Sequence, residues 1–341
     1  MKCVVKTAPG PGNLELWDKP IPTPGPGEVL AKVRVAAICG TDIHIKHWAP
    51  FAQARVTPPT TMGHEFCGDI IAVGEGVDPA RIGQVISAES HIVCHECSMC
   101  QDNKQNLCLN TKGVGVHIDG CFAEYVTLPA ENAVVCNPEV SDVNNALLEP
   151  LGTVVYAATR VHPAGMTVAI PGCGPMGLMA IAVFKKMGAR KVICAEVNQY
   201  RAEAARKMGA DVVLNPAECD IVAEMRAQCD GLGPDIVAEC SGSVAGIKAA
   251  TQYVRPGGEW VQIALPDKEI PLNFTDMFYR EVTMYGVSGR DLFHTWKVMT
   301  GLLEGGMDVS GCVSHELPLE DFAHAFELLE SGQALKVLLR P

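Results

Sequence analysis

From Met166 to Gly289, short apolar runs alternate with amphipathic stretches of helical period. The apolar runs predict strands at Thr167–Ile170, Lys191–Ala195, Asp211–Leu214, Asp235–Ala238, Glu259–Ile263 and Val282–Tyr285. The stretches between them that predict helices include Gly177–Met187, Gln199–Met208 and Ala217–Gln228. Strands that alternate with helices at this spacing indicate a parallel sheet with helices on both faces.

The first 150 residues show a different pattern of residue types. Closely spaced prolines and glycines, as in Pro20–Gly27, precede short β-rich runs such as Val29–Ala37 and Asp69–Val73. This pattern predicts an irregular, β-rich domain over residues 1–150, followed by the strand–helix domain over 151–289. The tail from 290 to 341 predicts a helix, a strand and a final helix, at Leu292–Leu303, near Val313 and around Leu319–Leu329. The predicted fold class is therefore α/β.

Composition limits the classes of function. The 341 residues, 48% of them hydrophobic, suffice for two domain cores. A net charge of −12 without a lysine or arginine run disfavours nucleic-acid binding. The longest apolar run, around Gly177–Phe184, is far shorter than the ~20 residues that span a bilayer, and the N-terminus has no apolar signal-peptide core. We therefore expect a cytoplasmic protein without a membrane partner, whose 15 cysteines do not form disulfides.

The first strand of the α/β region leads into Gly172-Cys173-Gly174-Pro175-Met176-Gly177, which opens an apolar helix. A GxGxxG pattern alone is weakly specific, but its position between a strand and a helix is typical of a dinucleotide-binding loop. Gly172 permits the tight turn, Gly174 lets the backbone approach a pyrophosphate, and Gly177 allows close helix–strand packing. The phosphates are expected at the helix N-terminus, where free N–H groups and the helix dipole favour anions.

The second strand ends at Glu196, 19 residues past Gly177. A carboxylate there can accept hydrogen bonds from the adenosine ribose hydroxyls, and it repels a 2′-phosphate. Arg201 is compatible with two interpretations, because an arginine could serve a 2′-phosphate or be a solvated helix residue. Glu196 decides the prediction in favour of NAD over NADP.

Four cysteines, Cys94, Cys97, Cys100 and Cys108, have the spacing C-x2-C-x2-C-x7-C in a polar loop. Four thiolates at this spacing predict a closed tetrahedral site, which is typical of structural zinc. An iron–sulfur cluster, a redox pair or unrelated thiols are the alternatives. A nucleic-acid zinc module is disfavoured because the loop carries Lys104 against Glu96 and Asp102.

A second, more dispersed set of metal-binding residue types comprises Cys39, His64 and either Glu65 or Glu149. A catalytic zinc needs about three protein ligands and one exchangeable position. Read alone, a cysteine and a histidine 25 residues apart are more often a buried thiol and a core histidine than metal ligands. The spacing alone therefore leaves both interpretations open.

These motifs occur in one order along the chain: Cys39-Gly40-Thr41-Asp42-x-His44, Gly63-His64-Glu65, the four-cysteine loop and the glycine pattern at Gly172. In combination they resemble the zinc-containing medium-chain alcohol dehydrogenase superfamily over essentially the whole chain. Within that superfamily the L-threonine 3-dehydrogenase branch is the most similar, on Pro58–Glu65, Glu89–Cys94, Glu149–Gly152 and Tyr285–Arg290.

The resemblance implies a GroES-like catalytic domain formed by residues 1–150 together with the returning tail 290–341. It implies a central Rossmann domain at 151–289 that binds NAD. It further implies two zinc ions per subunit, one catalytic and one structural, and a homotetrameric assembly.

The implied reaction is the oxidation of a secondary alcohol to a ketone by hydride transfer to NAD, with L-threonine converted to 2-amino-3-ketobutyrate. Zinc at Cys39 and His64 would acidify the alcohol. Thr41 and His44 fit a hydroxyl–imidazole proton relay. His91 is expected to line the substrate pocket, while the roles of Glu65 and Glu149 are not separated by the sequence.

Two residues depart from the pattern of that branch. Lys46 stands where an aromatic residue is usual, and Thr153 stands where asparagine is usual. Both are expected near the pocket, so a polyol or vicinal diol of the sorbitol or 2,3-butanediol type is the alternative substrate. Lys46, like His91, is also a candidate to face a substrate carboxylate.

Overall fold

The structure is a computed structural model that describes residues 1–266 and 268–341. The chain forms two compact units. The first contains Met1–Glu149, Asp291–Thr300 and Val313–Pro341, and the second contains Pro150–Arg290 and Gly301–Cys312.

One segment of the tail differs from the prediction. The family resemblance assigned all of residues 290–341 to the first domain, whereas 301–312 belong to the second unit. The Nζ of Lys186 donates a hydrogen bond to the carbonyl of Gly305. A side chain at Gly311 would collide with the Sδ of Met208. These close contacts bind the segment to helices of the second unit.

In chain order, the strands before residue 150 are β1 (Lys2–Lys6), β2 (Leu14–Asp18), β3 (Glu28–Ala37), β4 (Thr60–Thr61), β5 (Glu65–Val73), β6 (Val85–Ala88), β7 (His91–Ile92), β8 (Lys112–Gly113), β9 (Tyr125–Pro129) and β10 (Ala133–Val135). The helices that begin there are α1 (Gly40–Lys46), α2 (Pro50–Arg55), α3 (Ser98–Gln101), α4 (Asp142–Ala146) and α5 (Leu148–Thr159). This part is β-rich, as the turn and strand signals predict.

The strands of the α/β region are β11 (Thr167–Pro171), β12 (Lys191–Ala195), β13 (Val212–Leu214), β14 (Ile236–Glu239), β15 (Glu259–Gln262) and β16 (Thr283–Gly286). Its helices are α6 (Pro175–Lys186), α7 (Gln199–Lys207), α8 (Ile221–Ala227), α9 (Val244–Tyr253) and α10 (Phe274–Tyr279). The tail adds α11 (His294–Glu304), β17 (Val313–Pro318), α12 (Phe322–Glu330) and β18 (Lys336–Arg340). The predicted helix over 217–228 begins later, because the Asp220 side chain caps the amides of Val222 and Ala223.

In the first unit, the main sheet has the strand order β10-β6-β5-β3-β18-β17, and β9 also pairs with β3. The two tail strands are parallel to each other, and β18 joins β3 antiparallel, with Leu338 opposite Ala37. The sequence pattern did not predict β18, because its short run of buried residues lacks the alternation that marks a half-buried strand.

In the second unit, the parallel sheet has the order β13-β12-β11-β14-β15-β16. Every residue of β11 is buried, as expected for a strand covered by helices on both faces. The strand order reverses between β11 and β14. The carboxyl ends of the strands at such a switch point form the crevice where open α/β sheets bind ligands.

Large apolar side chains fill the two cores separately. Phe66, Phe122 and Phe326 are buried in the first unit, and Trp260 is fully buried in the second. Truncation of a buried aromatic residue of this kind costs roughly 3–5 kcal/mol. Across residues 1–266 and 268–341, no helix combines the length and apolarity needed to cross a membrane.

Candidate functional site

The first candidate site lies where β3 and β5 pair. These strands run antiparallel with Ala37 opposite Glu65, so the residues after Ala37 lie beside those before Glu65. Cys39 is the N-cap of α1, and its amide donates to Oδ2 of Asp42 over 2.9 Å. Ligand atoms of Cys39, His64 and Glu65 lie within 4.8 Å of one another. The strand register thus brings three of the predicted metal-binding residues together.

Gly63 makes the turn into β5 possible. Its φ is +89°, and a Cβ there would lie 2.2 Å from the ring of Phe122. Only glycine fits this position, which lets the ring of His64 enter the buried interior. The side chain of His64 is nearly inaccessible, at 7% relative exposure.

The electrostatics of His64 follow from its neighbours. Its Nδ1 lies 4.0 Å from Oδ1 of Asp42. Burial lowers the pKa of His64, but the facing sulfur of Cys39 and the carboxylate of Asp42 raise it well above its ordinary value overall. Within the described part of the chain, neither His64 Nδ1 nor Asp42 Oδ1 has a hydrogen-bond partner.

The two candidate glutamates have different surroundings. Glu65 is fully buried and forms an ion pair with Lys336, whose Nζ lies 2.7 Å from Oε1. Burial raises the pKa of Glu65, and Lys336 opposes that effect. Glu149 is also buried, and its Oε1 accepts a hydrogen bond from Ser90 Oγ. Among the residues the structure describes, Glu65 and not Glu149 belongs to the group of mutually close donors with Cys39 and His64.

This donor set fits a zinc ion. Thiolate, imidazole and carboxylate are the ligand types that zinc takes in proteins, and three protein ligands leave a position for substrate. The buried polar atoms of His64 and Asp42 that lack partners are also consistent with a site that a cation completes.

The second candidate metal site is the loop from Cys94 to Cys108. Sulfur–sulfur distances are 3.5 Å for Cys94–Cys108, 3.6 Å for Cys97–Cys100 and 3.9 Å for Cys97–Cys108. These distances exclude a covalent disulfide and match sulfurs that share one ion. Amides of Glu96 and Cys97 lower the pKa of Cys94 to about 6, which favours the thiolate form.

The proposed relay residues lie on α1. The Oγ1 of Thr41 is 3.7 Å from the Sγ of Cys39, at the metal-site end of the helix. His44 follows one turn later and is exposed to solvent. The Nζ of Lys46 lies 2.8 Å from the carboxylate of Glu330. Lys46 therefore has a partner within the protein, and its role toward a substrate carboxylate stays a prediction.

His91 has a defined orientation. Its Nδ1 lies 2.9 Å from Oε1 of Glu89, and its side chain is 38% exposed. The other oxygen of Glu89 accepts a hydrogen bond of 2.8 Å from Nε1 of Trp296. Ser90, which donates to Glu149, is the neighbour of His91 in the chain. The predicted pocket residues His91 and Glu149 are thus both held by the segment 89–91.

The glycine pattern lies between β11 and α6. Gly172 has a φ of +87°, and a Cβ there would lie 2.6 Å from the backbone of Ser241. Gly174 is the N-cap of α6 and Pro175 its first residue, followed by Met176 in the first turn. A Cβ at Gly177 would lie 1.9 Å from the carbonyl oxygen of Gly172. These close approaches produce a narrow loop that opens at a helix N-terminus, where a pyrophosphate can bind.

Glu196 lies at the end of β12, directly beside that loop. Its carboxylate accepts hydrogen bonds from the amides of Cys173 at 2.8 Å and Asn198 at 2.9 Å. Arg201 lies in the first turn of α7, and its Nε is buried without a partner in the described residues. Arg201 is therefore not a fully solvated helix residue.

Several residues around the sites were given no role of their own by the sequence. They are Asp42, Glu89, Ser90, Trp296 and Lys336. The charged ones are buried; Asp42 is bonded within its own helix turn, whereas Glu89 and Lys336 have partners on other elements. A charged residue inside or beside an apolar run, as in Lys336–Leu339, is the sequence signal that could have identified such residues as buried and paired.

The family models and known proteins agree with this arrangement. Residues 25–139 match the alcohol dehydrogenase GroES-like domain, and residues 175–305 match the zinc-binding dehydrogenase model. The L-threonine 3-dehydrogenase of Bacillus subtilis (strain 168) is 40% identical, with 100% of this chain and 99% of that protein covered.

Solved structures show the same fold. A dehydrogenase from Sinorhizobium meliloti 1021, solved with NADP bound, superposes with a TM-score of 0.93 at 29% identity, covering 100% of this chain and 99% of that one. The 2R,3R-butanediol dehydrogenase of Bacillus subtilis superposes with a TM-score of 0.89 at 28% identity, with the same coverage. Together with the model matches, these likenesses confirm the resemblance drawn from the motifs. The chain belongs to the zinc-binding alcohol dehydrogenase family.

Proposed function

We propose that this chain is a zinc- and NAD-dependent dehydrogenase that oxidises the secondary alcohol of L-threonine to 2-amino-3-ketobutyrate. The observation that carries the proposal is the cluster of Cys39, His64 and Glu65, a zinc ligand set at the N-terminus of helix α1. The 40% identity to a threonine dehydrogenase over the whole chain supports the choice of substrate.

The reaction removes a proton from the hydroxyl group and a hydride from the carbon that bears it. A zinc ion on Cys39, His64 and Glu65 supplies Lewis acidity toward the hydroxyl oxygen, and NAD supplies the hydride acceptor. We propose that Thr41 accepts the proton and that His44, at the solvent-exposed side of α1, passes it to water.

The substrate carries an ammonium and a carboxylate into a sheltered site, and each buried charge costs several kcal/mol without a partner. Lys46 is paired with Glu330, and Glu65 is paired with Lys336. We propose that His91, whose ring reaches solvent, faces the carboxylate and that Glu149 faces the ammonium.

NAD is the proposed cofactor. The carboxylate of Glu196 stands beside the glycine loop, where it would meet the ribose hydroxyls and repel a 2′-phosphate. One structural relative binds NADP, and Arg201, which is half-buried with a buried Nε, is the residue that could serve a 2′-phosphate.

The four-cysteine loop is proposed to hold a second, structural zinc ion, because four protein ligands leave no open position for substrate. All 15 cysteines are free thiols, which fits a reducing cytoplasmic compartment. A homotetramer, as the family resemblance implies, would cover Phe274, Phe278 and Tyr279 on α10, which are each at least 74% exposed.

A vicinal-diol dehydrogenase is the second candidate. The structural likeness to a 2R,3R-butanediol dehydrogenase and the departures at Lys46 and Thr153 favour it. A neutral diol needs no partner for an ammonium or a carboxylate.

Initial rates of NADH formation with L-threonine, L-serine, 2,3-butanediol, sorbitol and xylitol test the two candidates. We expect the highest kcat/KM with L-threonine. A higher value with 2,3-butanediol or a sugar alcohol would overturn the threonine assignment and support the diol candidate.

A further inference from the structure

We propose that Glu89 is a positioning residue for substrate recognition: held by Trp296, its buried carboxylate orients the imidazole of His91 toward the carboxylate of an amino-acid substrate. This inference rests on the proposed threonine oxidation and assigns roles to two residues that act through His91.

The contacts form a short chain of hydrogen bonds. One carboxylate oxygen of Glu89 accepts from the backbone amide of His91 at 3.0 Å and from its Nδ1 at 2.9 Å. The other oxygen accepts from the indole N–H of Trp296 at 2.8 Å. Glu89 and Trp296 are 207 residues apart in the chain, and both side chains are almost fully buried.

Burial of a carboxylate is unfavourable unless donors replace its water. Glu89 has 0% relative exposure, so the indole, the imidazole and the amide of His91 compensate for the lost hydration. A glutamine or a leucine could fill a merely structural position at lower desolvation cost. The retained charge therefore favours a role for Glu89 toward His91, a partner whose side chain reaches solvent.

The backbone of the same segment is also held in place. The Nδ2 of Asn132 donates to the carbonyl oxygens of Glu89 at 2.8 Å and His91 at 3.0 Å, and the amide of Glu89 donates to the carbonyl of Asn132. Asn132 is 2% exposed. His91 thus stands on a rigid backbone with its ring fixed by a side-chain contact, which is how a recognition group is preorganised.

The orientation has a chemical consequence for His91. A carboxylate acceptor at Nδ1 keeps a proton on that nitrogen and selects Nε2 as the free position of the ring. In the part of the chain that the structure describes, Nε2 has no hydrogen-bond partner. An imidazolium held against Glu89 would donate from Nε2 to a substrate carboxylate, a contact that a neutral diol does not need.

The test compares Glu89→Gln, Trp296→Phe and His91→Ala, with Glu131→Gln as the matched control. Glu131 accepts from the exposed His95 at 2.9 Å, so it forms the same kind of pair at the surface. In Glu89→Gln the amide cannot accept from both His91 Nδ1 and the indole. We expect the KM for L-threonine to rise about tenfold, which corresponds to about 1.4 kcal/mol.

In Glu89→Gln, the KM values for NAD and for 2,3-butanediol are expected to change by less than about twofold. When Glu89→Gln is added to His91→Ala, the KM for L-threonine should rise by less than about a further twofold, because the two residues act together. Trp296→Phe keeps an aromatic ring and removes the indole donor. The KM for L-threonine should therefore rise less than in Glu89→Gln, again without a matching rise for 2,3-butanediol. It also serves as the test if Glu89→Gln does not fold. The proposal would be overturned if Glu89→Gln raised the KM equally for L-threonine and 2,3-butanediol. It would also be overturned if Glu89→Gln raised the KM for L-threonine by the full tenfold in the His91→Ala background.

Histidine ¹⁵N chemical shifts separate this inference from the proposed function. The signals of His91, identified by their absence in His91→Ala, report which ring nitrogen carries the proton. We expect them to change in Glu89→Gln and to stay the same in Glu131→Gln. Unchanged His91 signals would overturn the positioning role even in an enzyme that prefers threonine. Changed signals in a protein that does not oxidise threonine would overturn the substrate assignment and leave the orientation of the ring intact.

Discussion

The ammonium group of Lys336 lies 2.6 Å from one carboxylate oxygen of Glu65 and 2.7 Å from the other. Both side chains are buried, and strand β18 brings the lysine to the site from the end of the chain. The same carboxylate belongs to the donor cluster with Cys39 and His64. The charge of Glu65 is therefore balanced from two sides, by a lysine and by the proposed zinc ion.

Replacement of Lys336 by methionine should destabilise the protein. It leaves a buried carboxylate without its ammonium partner, and breaking a buried ion pair in this way typically costs about 3–5 kcal/mol. Urea unfolding with and without zinc measures the loss, which should be larger in the zinc-free protein because the metal no longer balances Glu65.

Lys2→Met is the control for that experiment, because Lys2 pairs with Glu320 at the surface. Its effect on unfolding should be much smaller than that of Lys336→Met. Equal losses in the two variants would contradict a special role for the Lys336–Glu65 pair.

Replacement of Glu196 by serine should shift cofactor preference toward NADP. The substitution removes the charge that repels a 2′-phosphate and leaves Arg201 in place. We expect the ratio of kcat/KM for NAD over NADP to fall by about tenfold or more, equivalent to about 1.4 kcal/mol. The ratio is the informative quantity, because the lost hydrogen bond to Cys173 weakens both cofactors alike. An additional Arg201→Ala change should reverse part of the gain for NADP, and equal use of both cofactors by the unmodified protein would refute the assignment.

Replacement of Cys97 by serine should remove the structural metal without removing the catalytic one. The protein should retain about half of its zinc and unfold at a lower temperature, since a four-thiolate site contributes directly to folding. Metal analysis and thermal unfolding check both quantities. Cys219→Ser provides the matched control, because Cys219 lies outside the four-cysteine loop and its thiol donates to the carbonyl of Asn215, far in the sequence from those four cysteines. Full zinc content and unchanged stability in Cys97→Ser would be incompatible with a structural site.

Replacement of Cys39 by serine should abolish turnover while leaving NAD binding almost intact, because the glycine loop belongs to the other compact unit. Steady-state rates and a fluorescence titration with NADH measure the two properties. A large loss of NADH affinity would show that the substitution acts beyond the metal site.

Replacement of His44 by alanine should slow turnover by about tenfold or more, the range expected for a lost proton carrier. Added imidazole should restore part of the rate, because a small base can take the place of the missing ring. His47→Ala, at the C-cap of the same helix, is the control, since His47 is exposed and pairs with Glu330. If imidazole restores both variants equally or neither, the proton leaves the site by another route.

Local patterns in the chain were enough to predict the features that depend on neighbouring residues. The strand–turn–helix at Gly172 and the cysteine loop from Cys94 to Cys108 are encoded by spacing over few residues, because turn geometry and metal coordination act at short range. The inner strands of the parallel sheet were also predictable, since a strand covered on both faces, such as β11 or β14, appears as a continuous apolar run.

Contacts between distant segments depended on how the strands and helices pack. The sequence left Glu65 and Glu149 as equal candidates, and the pairing of β3 with β5 is what sets Glu65 beside Cys39 and His64. Lys336 reaches Glu65 across 271 positions, and Trp296 reaches Glu89 across 207. No periodicity or motif specifies such pairs, because the energy that favours each one exists only after the chain has buried both partners in the same core.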